Sequence, residues 1–290
     1  MTTELFDNHF QAETRMFLLA LIRIALAEDG PDLTAQGLFS ETDSAQAQIV
    51  AKQSTVVAGL PLIPLVLEFG GAECQVHLNV DDGDRVSEGT MVAALQGPAV
   101  HLLKAERVIM NFLCHLSGVA ELTSKYVAEL KGTDTTLLDT RKTTPGMRYL
   151  EKYAVRVGGG QNHRMNLTDM LMLKDNHIDR AGSITQAVKS LHDAYEQCPP
   201  IEVECRTLEE VEEASKCDIR RIMLDNMSHE SITEALKRIP AHIETEVSGN
   251  ISLENIKSYA QLGPNYISVG KLTHSAPSSD FSMQFLSLGA

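Results

Sequence analysis

Five basic side chains lie close together in the middle of the sequence, where they could bind a multiply charged anion. From Asp139 to His177 there are seven arginines and lysines against four acidic residues, a local charge of +3, although the whole chain carries −14. Arginine matches a carboxylate with two parallel hydrogen bonds, and lysine adds a compact charge. One carboxylate needs one such partner, so the cluster predicts a dicarboxylate, a phosphate or both. Its members are Arg141, Lys142, His163, Arg164 and Lys174.

Two acidic residues provide the opposite charge. Glu204 lies near the end of the alternating segment IEVEC, and Asp225 lies near the end of RRIMLDN. Two carboxylates beside a cationic pocket can hold Mg²⁺ or accept hydrogen bonds from sugar hydroxyls. They also stabilise positive charge that develops at an anomeric carbon.

Glycine-containing segments follow the last two predicted strands. They are SGN (248–250) and SVGKLTHS (268–275). Loops at this place in an α/β barrel commonly bind phosphate through main-chain N–H groups. The GGG of 158–160 lacks the strand-to-helix context of a dinucleotide loop. We interpret it as a flexible or tightly approached turn that places His163 and Arg164 at the mouth of a barrel.

Three further basic residues have a simpler interpretation. Arg148, Lys152 and Arg156 recur with Glu151 along a predicted helix. This spacing is typical of charged residues that pair on a solvated helix face. We therefore predict surface or ion-pair positions for them.

A repeated strand–helix pattern after residue 135 must position these residues. Such repeats predict a parallel sheet, either a barrel or an open doubly wound sheet. Charged residues at successive strand ends favour the barrel, because the carboxyl ends of its strands converge on one face. The predicted strands are 135–140, 170–176, 201–205, 220–226, 243–250 and 266–271.

The first third of the chain has a mixed pattern. We predict a helix over 14–26 with an apolar stripe, strands over 48–58 and 75–80, and a long helix over 101–130. The segment 80–98 has the GDxVxxG spacing of biotinyl and lipoyl carrier domains. Those domains modify a lysine at a following hairpin, and no lysine lies between Lys52 and Lys104, so we interpret the segment as a scaffold. The stripe of the first helix is Phe17, Leu18, Leu21, Ile22 and Ala25, and that of the long helix is Ala105, Val108, Ile109, Phe112 and Leu116.

Composition limits the classes of partner. An isoelectric point near 5.1 argues against general binding to nucleic acid or anionic membranes. The five cysteines include no CxxC pair, which predicts free thiols. The apolar segment from Met16 to Ala27 is short, contains Arg23 and follows acidic residues, so we expect neither a signal peptide nor a membrane span. We expect a cytoplasmic protein.

The motifs together resemble the quinolinate phosphoribosyltransferases over nearly the whole chain. The segments that carry the resemblance are DTRKTTPGMRYLEKYAVRVGGGQNHRMNLTD, LMLKDNHI, IEVEC, IMLDNM, VSGNI and ISVGKLTHS, with ALAEDGPDLT and LLKAERVIMNFLCHLSGVA upstream. The resemblance implies transfer of phosphoribose from phosphoribosyl pyrophosphate (PRPP) to quinolinate with Mg²⁺. The products are nicotinate mononucleotide, pyrophosphate and CO₂, a step in de novo NAD synthesis.

The resemblance also implies an architecture. We expect an N-terminal α/β sandwich domain over 1–117 and an open, TIM-like α/β barrel of six to seven parallel strands over 118–272. Residues 273–290 would return to the N-terminal domain. The family implies a homodimer or a hexamer of dimers, in which the partner's N-terminal domain covers each barrel mouth.

Individual roles follow from the resemblance in the same way. Lys142, Glu204 and Asp225 would be catalytic, and the two acidic residues would also bind Mg²⁺. Arg107 would reach in from the neighbouring subunit, and Lys142 would lie between quinolinate and PRPP. The quinolinate carboxylates would be bound by Arg141, His163, Arg164 and Lys174, with Thr140 beside them. The 5′-phosphate loops would be Ser248, Gly249, Asn250, Val269, Gly270 and Lys271, where Asn250 and Lys271 replace the glycine and alanine common in the family.

Two other functions compete with this interpretation. A nicotinate or nicotinamide phosphoribosyltransferase would share the architecture, but a monocarboxylate needs fewer cations. A non-catalytic dicarboxylate binder would gain nothing from Glu204 and Asp225.

Overall fold

The computed structural model describes residues 2–71 and 73–286, apart from the side chains of residues 2 and 3. These residues form two compact units. The first comprises the described parts of Met1–Ser124, Thr144–Gly159 and Ser275–Ala290, and the second comprises Lys125–Thr143 and Gly160–His274. The predicted boundaries at 117 and 272 stay predictions.

The helices and strands alternate irregularly at first and regularly after residue 135. The helices are α1 (Thr2–His9), α2 (Ala12–Glu28), α3 (Leu33–Leu38), α4 (Leu62–Phe69), α5 (Ala99–Glu129), α6 (Arg148–Val157), α7 (Asp175–Ala181), α8 (Ile184–Ala194), α9 (Leu208–Ala214), α10 (His229–Arg238), α11 (Ile256–Ala260) and α12 (Lys271–His274). The strands are β1 (Ser44–Ala51), β2 (Thr55–Val56), β3 (Gln75–Leu78), β4 (Arg85–Val86), β5 (Met91–Pro98), β6 (Thr136–Leu138), β7 (Leu171–Leu173), β8 (Ile201–Cys205), β9 (Arg221–Asp225), β10 (Glu244–Ser248), β11 (Tyr266–Ser268) and β12 (Phe281–Phe285).

The first unit contains an antiparallel sheet with strand order β12-β1-β5-β3. The late strand β12 pairs with β1, with Met283 opposite Ile49. The predicted strand over 48–58 is divided, because β1 ends at Ala51 and β2 begins at Thr55. The short β2 pairs with β4 instead. The scaffold segment 80–98 therefore supplies β4 and β5.

The predicted helices of the first unit are present, with one error in the face of α2. Its buried residues are Leu18, Ile22 and Leu26, which recur every four positions. Phe17 is 51% exposed, so its predicted place in the buried apolar stripe is wrong. One residue corresponds to about 100° around a helix, which turns Phe17 away from the face that Leu18 occupies. In α5 the stripe is confirmed, and all of its predicted residues are buried: Ala105, Val108, Ile109, Phe112 and Leu116.

Helix α6 departs from the surface helix that the charges predicted. Lys152 and Glu151 are both fully buried, so of the two alternatives predicted for Lys152, surface or ion pair, the surface position is wrong. The reason is that six consecutive residues from Leu150 to Val155 are buried, which leaves this part of the helix without a solvated face. The Glu151 carboxylate lies 2.9 Å from Nε2 of His115 and accepts a hydrogen bond from the main chain of Thr144.

The glycines after α6 allow a close approach. A Cβ at Gly158 would lie 2.5 Å from the carbonyl oxygen of Ala120 on α5, closer than real side chains come. Gly159 has a φ of +90°, where glycine is favoured. The sequence predicted either a flexible or a tightly approached turn, and the close contact with α5 favours the second alternative.

The second unit is an open α/β barrel of six parallel strands. Their order is β6-β11-β10-β9-β8-β7, and all five pairings are parallel. The last strand, β11, pairs with the first, β6, as in a sheet that curls round on itself. All six predicted strands are present. Their carboxyl ends share one edge, where loops can supply functional side chains.

Two predictions about the whole chain concern its cysteines and its helices. All five cysteines lie in the described ranges and are free thiols. Within those same ranges, no helix combines the length and apolar character needed to cross a membrane.

Candidate active site in the second unit

A cavity of about 530 Å³ lies at the carboxyl ends of the parallel strands. It brings together eleven of the residues predicted from the sequence, from the carboxyl ends of five strands and from the segment between α6 and β7. These residues are Thr140, Arg141, Lys142, His163, Arg164, Lys174, Glu204, Asp225, Ser248, Gly249 and Asn250. The cavity therefore combines the cationic and acidic groups in one place.

Four predicted residues lie elsewhere. Val269 is buried, and the exposed Lys271 begins α12. Gly270, between them, packs beside Lys142, because a Cβ at Gly270 would lie 3.1 Å from Cδ of Lys142. Arg107 is exposed on α5 of the first unit.

The loop after β6 carries two of the cations. Its main chain is held at Lys142, whose N–H donates to Oγ1 of Thr140 over 3.0 Å. The Lys142 carbonyl oxygen accepts a hydrogen bond from Oγ1 of Thr273 over 2.8 Å. These two bonds fix the loop, while the exposed Lys142 side chain stays available for a ligand.

Two further cations, Arg164 and Lys174, are engaged within the protein. Arg164 donates a hydrogen bond to the carbonyl oxygen of Met170 over 2.9 Å. The pKa of Arg164 is lowered, mainly by burial and to a smaller extent by the positive charge of Arg141. Lys174 forms a 2.9 Å ion pair with Glu204. The predicted cationic and acidic halves are thus linked here by an ion pair.

His163 lies deeper than the sequence indicated. Its Nε2 is 3.0 Å from Oε2 of Glu202 and 3.5 Å from Oε2 of Glu246. Burial opposes a charge on the ring, but the two carboxylates outweigh it and raise the pKa of His163 to about 9. The Arg164 N–H donates to Nδ1 over 2.7 Å, which places the proton of the neutral ring on Nε2. A second proton would therefore displace the bond from Arg164.

Sequence reasoning missed the two carboxylates beside His163. Glu202 and Glu246 are fully buried, and Arg221 lies 2.8 Å from Glu246 and 3.1 Å from Glu244. Burial raises the pKa of Glu202, with Glu246 adding to the effect, whereas His163 and Arg221 outweigh burial and lower the pKa of Glu246. Glu202 and Glu204 are two positions apart on β8, so strand alternation was the available signal that both face the barrel interior.

The same acidic cluster has the chemistry of a metal site. Ligand atoms of His163, Glu202 and Glu246 lie within 4.8 Å of one another. Arg221 already provides a cation beside Glu246 and stacks on the Tyr266 ring at 4.1 Å. His163 and Arg221 thus both place positive charge beside these carboxylates.

The acidic half at the cavity surface is Glu204 and Asp225. Burial raises the pKa of Asp225, and the nearby charge of Glu204 adds to this. Two carboxylates that repel each other in a cavity provide the hard oxygen donors that Mg²⁺ prefers. The donor set therefore fits the ion that the sequence predicted. Asn226, which sequence reasoning missed, also lines the cavity and donates to Asp225.

Comparison with known families decides the classification. Residues 32–117 match the model of the quinolinate phosphoribosyl transferase N-terminal domain, and residues 119–284 match that of the C-terminal domain. The chain belongs to the quinolinate phosphoribosyltransferase family. The resemblance predicted from the motifs is thereby confirmed.

Individual relatives of this phosphoribosyltransferase support the classification over most of its length. A probable nicotinate-nucleotide pyrophosphorylase [carboxylating] of Bacillus subtilis is 44% identical over 252 residues, which are 87% of each chain. Quinolinate phosphoribosyltransferase [decarboxylating] 1 of Nicotiana glauca is 38% identical, covering 92% of this chain and 82% of its own. The solved structure of NadC from Streptococcus pyogenes is 40% identical with a TM-score of 0.89, covering 95% of this chain and 99% of that one. The predicted fold class is thereby confirmed.

Proposed function

We propose that this protein transfers phosphoribose from PRPP to quinolinate and releases pyrophosphate and CO₂, forming nicotinate mononucleotide for NAD synthesis. The observation that carries the proposal is a single cavity lined by Arg141, Lys142 and Arg164 on one side and by Glu204 and Asp225 on the other. The first group matches a dianionic acceptor, and the second matches a ribose donor that develops positive charge.

The cationic side would orient quinolinate. Arg141 and Arg164 offer planar guanidinium groups for the two carboxylates, and Lys174 can leave Glu204 to join them. His163 would act indirectly, because its buried ring supplies positive charge to Glu202 and Glu246 next to Arg164. This placement aims the pyridine nitrogen at C1 of the ribose, where positioning supplies most of the acceleration.

The acidic side would serve PRPP. Glu204 and Asp225 would hold Mg²⁺, and they would accept hydrogen bonds from ribose hydroxyls. When bound, Mg²⁺ offsets negative charge on the departing pyrophosphate. The two carboxylates stabilise the cationic ribose that forms as the C1–O bond breaks.

The steps balance without a covalent enzyme intermediate. The pyridine nitrogen gives its lone pair to C1 as pyrophosphate leaves with the C1–O electrons. The ring nitrogen is then cationic, so it stabilises the electron pair left at C2 when CO₂ departs. C2 finally takes up a proton from solvent water. No general base is needed, because an aromatic nitrogen has no proton to lose.

A second copy of the chain would complete the site. Arg107 is exposed on α5, and α2 of the same unit exposes Met16 at 69%, Phe17 at 51% and Ile24 at 59%. Exposed apolar side chains of this size mark association surfaces. We propose a homodimer, alone or within a hexamer, in which Arg107 enters the partner's site. The proposed location is the cytoplasm, which subcellular fractionation would test.

Subunit complementation tests the shared site. Arg107→Ala and Lys142→Ala should each be inactive alone. If they are denatured together and refolded, random pairing should restore about a quarter of wild-type activity, because half of the dimers then contain one intact site. No recovery, with mixed dimers shown by native mass spectrometry, would place Arg107 in its own subunit's site or outside any site.

The proposed reaction is tested by comparing acceptors. The purified protein is incubated with PRPP and Mg²⁺ and with quinolinate, nicotinate or nicotinamide. We expect turnover of quinolinate but not of nicotinate or nicotinamide. Excess EDTA should abolish this turnover, and added Mg²⁺ should restore it. Turnover of nicotinate would favour the related monocarboxylate enzymes, and tight quinolinate binding without turnover would favour a binding protein.

A further inference from the structure

The side-chain amide of Asn226 connects two loops of the cavity. Asn226 follows β9, and its Nδ2 donates to Oδ2 of Asp225 over 2.8 Å. Its Oδ1 accepts a hydrogen bond from Nδ2 of Asn250, which follows β10, over 3.0 Å. All three residues line the cavity. A chain of hydrogen bonds thus leads from the loop after β10 to the carboxylate after β9.

The charge of Asp225 fixes the direction of this chain. An ionised carboxylate only accepts hydrogen bonds, so the Asn226 atom that faces it must be the nitrogen. The oxygen of the same amide then faces Asn250, which must donate. The main chain of Asn250 is itself held, because its carbonyl oxygen accepts from Nδ2 of Asn255 over 3.0 Å. Each member therefore has one role.

The backbone keeps Asn226 in place. Asn226 and Asn250 have φ values of 53° and 52°, in the left-handed region that asparagine tolerates better than most residues. The Asn226 N–H donates to the carbonyl oxygen of Ser248 over 2.9 Å. A Cβ at Gly249 would lie 2.2 Å from Oδ1 of Asn226, so glycine is needed beside the amide.

We propose that Asn250, acting through Asn226, is a positioning residue that orients the carboxylate of Asp225 toward PRPP. The inference rests on the proposed function, in which the loop of Ser248–Asn250 binds the 5′-phosphate and Asp225 serves the reacting ribose. The relay links these two ends of one substrate. Phosphate binding and carboxylate orientation therefore support each other.

Two substitutions at Asn250 separate the side chain from the backbone. Asn250→Gly keeps the left-handed conformation and removes the donor, whereas Asn250→Asp keeps the shape and turns an oxygen toward Oδ1 of Asn226. We expect the KM for PRPP to rise about threefold in the first variant and about tenfold in the second, the range for one lost hydrogen bond and one repulsive contact. The KM for quinolinate should change less than about twofold, since its cations lie elsewhere. The exposed Gln261→Glu, in the same unit, controls for the added charge.

A double-substitution cycle tests whether Asn250 acts through Asn226. Calorimetry measures PRPP binding with Mg²⁺ for Asn226→Ala, Asn250→Gly and both together. We expect the second change to have no further effect once Asn226 is gone, which is a non-additive result. Additive losses of PRPP affinity would overturn the relay. Wild-type PRPP affinity in both Asn250→Gly and Asn250→Asp would also overturn it. Absence of wild-type turnover would overturn the proposed function. The PRPP affinities of the single and double variants would still show whether Asn250 acts through Asn226.

Discussion

Nε2 of His163 lies 3.0 Å from Oε2 of Glu202, and both side chains are buried, although His163 also lines the cavity. A predicted ligand contact is thus paired with a carboxylate that no motif had singled out. The pair places the histidine ring between the barrel interior and the main chain of Arg164. His163 therefore connects the buried charges of the barrel to a cation of the site.

The charge of His163 should make stability depend on pH. The two carboxylates raise the pKa of His163 from 6.5 to about 9, so the folded protein binds this proton more tightly than the unfolded chain. The contribution to stability is complete below pH 6.5 and is lost as the pH rises through about 9, with a size on the order of 3 kcal/mol. Urea unfolding of wild type and His163→Asn across this range measures the difference.

Nuclear magnetic resonance of the His163 ring gives an independent check on that prediction. The imidazole nitrogens should titrate above pH 6.5, toward 9. A wild type and a His163→Asn variant with the same pH dependence of unfolding, or a ring that titrates below pH 6.5, would contradict the assigned environment.

The two carboxylates that contact Arg221 should differ in their contribution to stability. Glu246 is fully buried at 2.8 Å from Arg221, whereas the side chain of Glu244 is 20% exposed at 3.1 Å. Removing one partner of a buried ion pair costs about 3 to 5 kcal/mol, and partly exposed pairs contribute about 1 kcal/mol or less. We expect Glu246→Gln to lower the free energy of unfolding by several times more than Glu244→Gln. Equal losses in urea titrations would contradict the buried network.

The proposed guanidinium clamp predicts that lysine cannot replace arginine at position 141. Lysine keeps the charge but loses the planar pair of donors. Arg141→Lys should raise the KM for quinolinate by about tenfold or more and leave the KM for PRPP nearly unchanged. The exposed Arg156 provides the matched control, because Arg156→Lys should change neither constant. A change in the KM for PRPP alone would contradict the clamp and assign Arg141 to PRPP binding.

The space beside Gly270 should matter for Lys142. A Cβ there would lie 3.1 Å from Cδ of Lys142 and 3.3 Å from the His274 ring. The lysine must then shift, and displacements of a catalytic group by a fraction of an ångström to 1 Å cost on the order of 10- to 100-fold in rate. We expect Gly270→Ala to lower kcat by about tenfold. Gly37→Ala, where no atom lies within 4 Å of the added Cβ, should keep wild-type kcat.

The strands of the second unit were predictable because their apolar segments are short and end at polar residues. The cluster of Arg141, Lys142, Glu204 and Asp225 followed from the rule that strand ends of a barrel converge. Lys152, Phe17 and Glu202 show where such reasoning fails. Charge pairs predicted a solvated face for Lys152, and only the packing of α6 shows that this face is covered. Glu202 is polar within a buried strand, and its partners His163 and Glu246 are distant in sequence.

The stoichiometry of the products distinguishes decarboxylating phosphoribosyl transfer from the alternative reactions. Pure protein is supplied with PRPP, Mg²⁺ and quinolinate labelled in its C2 carboxylate, and labelled CO₂, pyrophosphate and nicotinate mononucleotide are measured over time. We expect all three to form in equal amounts and Glu204→Gln to suppress them together. Pyrophosphate release without CO₂, or nucleotide formation from nicotinate at a comparable rate, would contradict the proposed reaction.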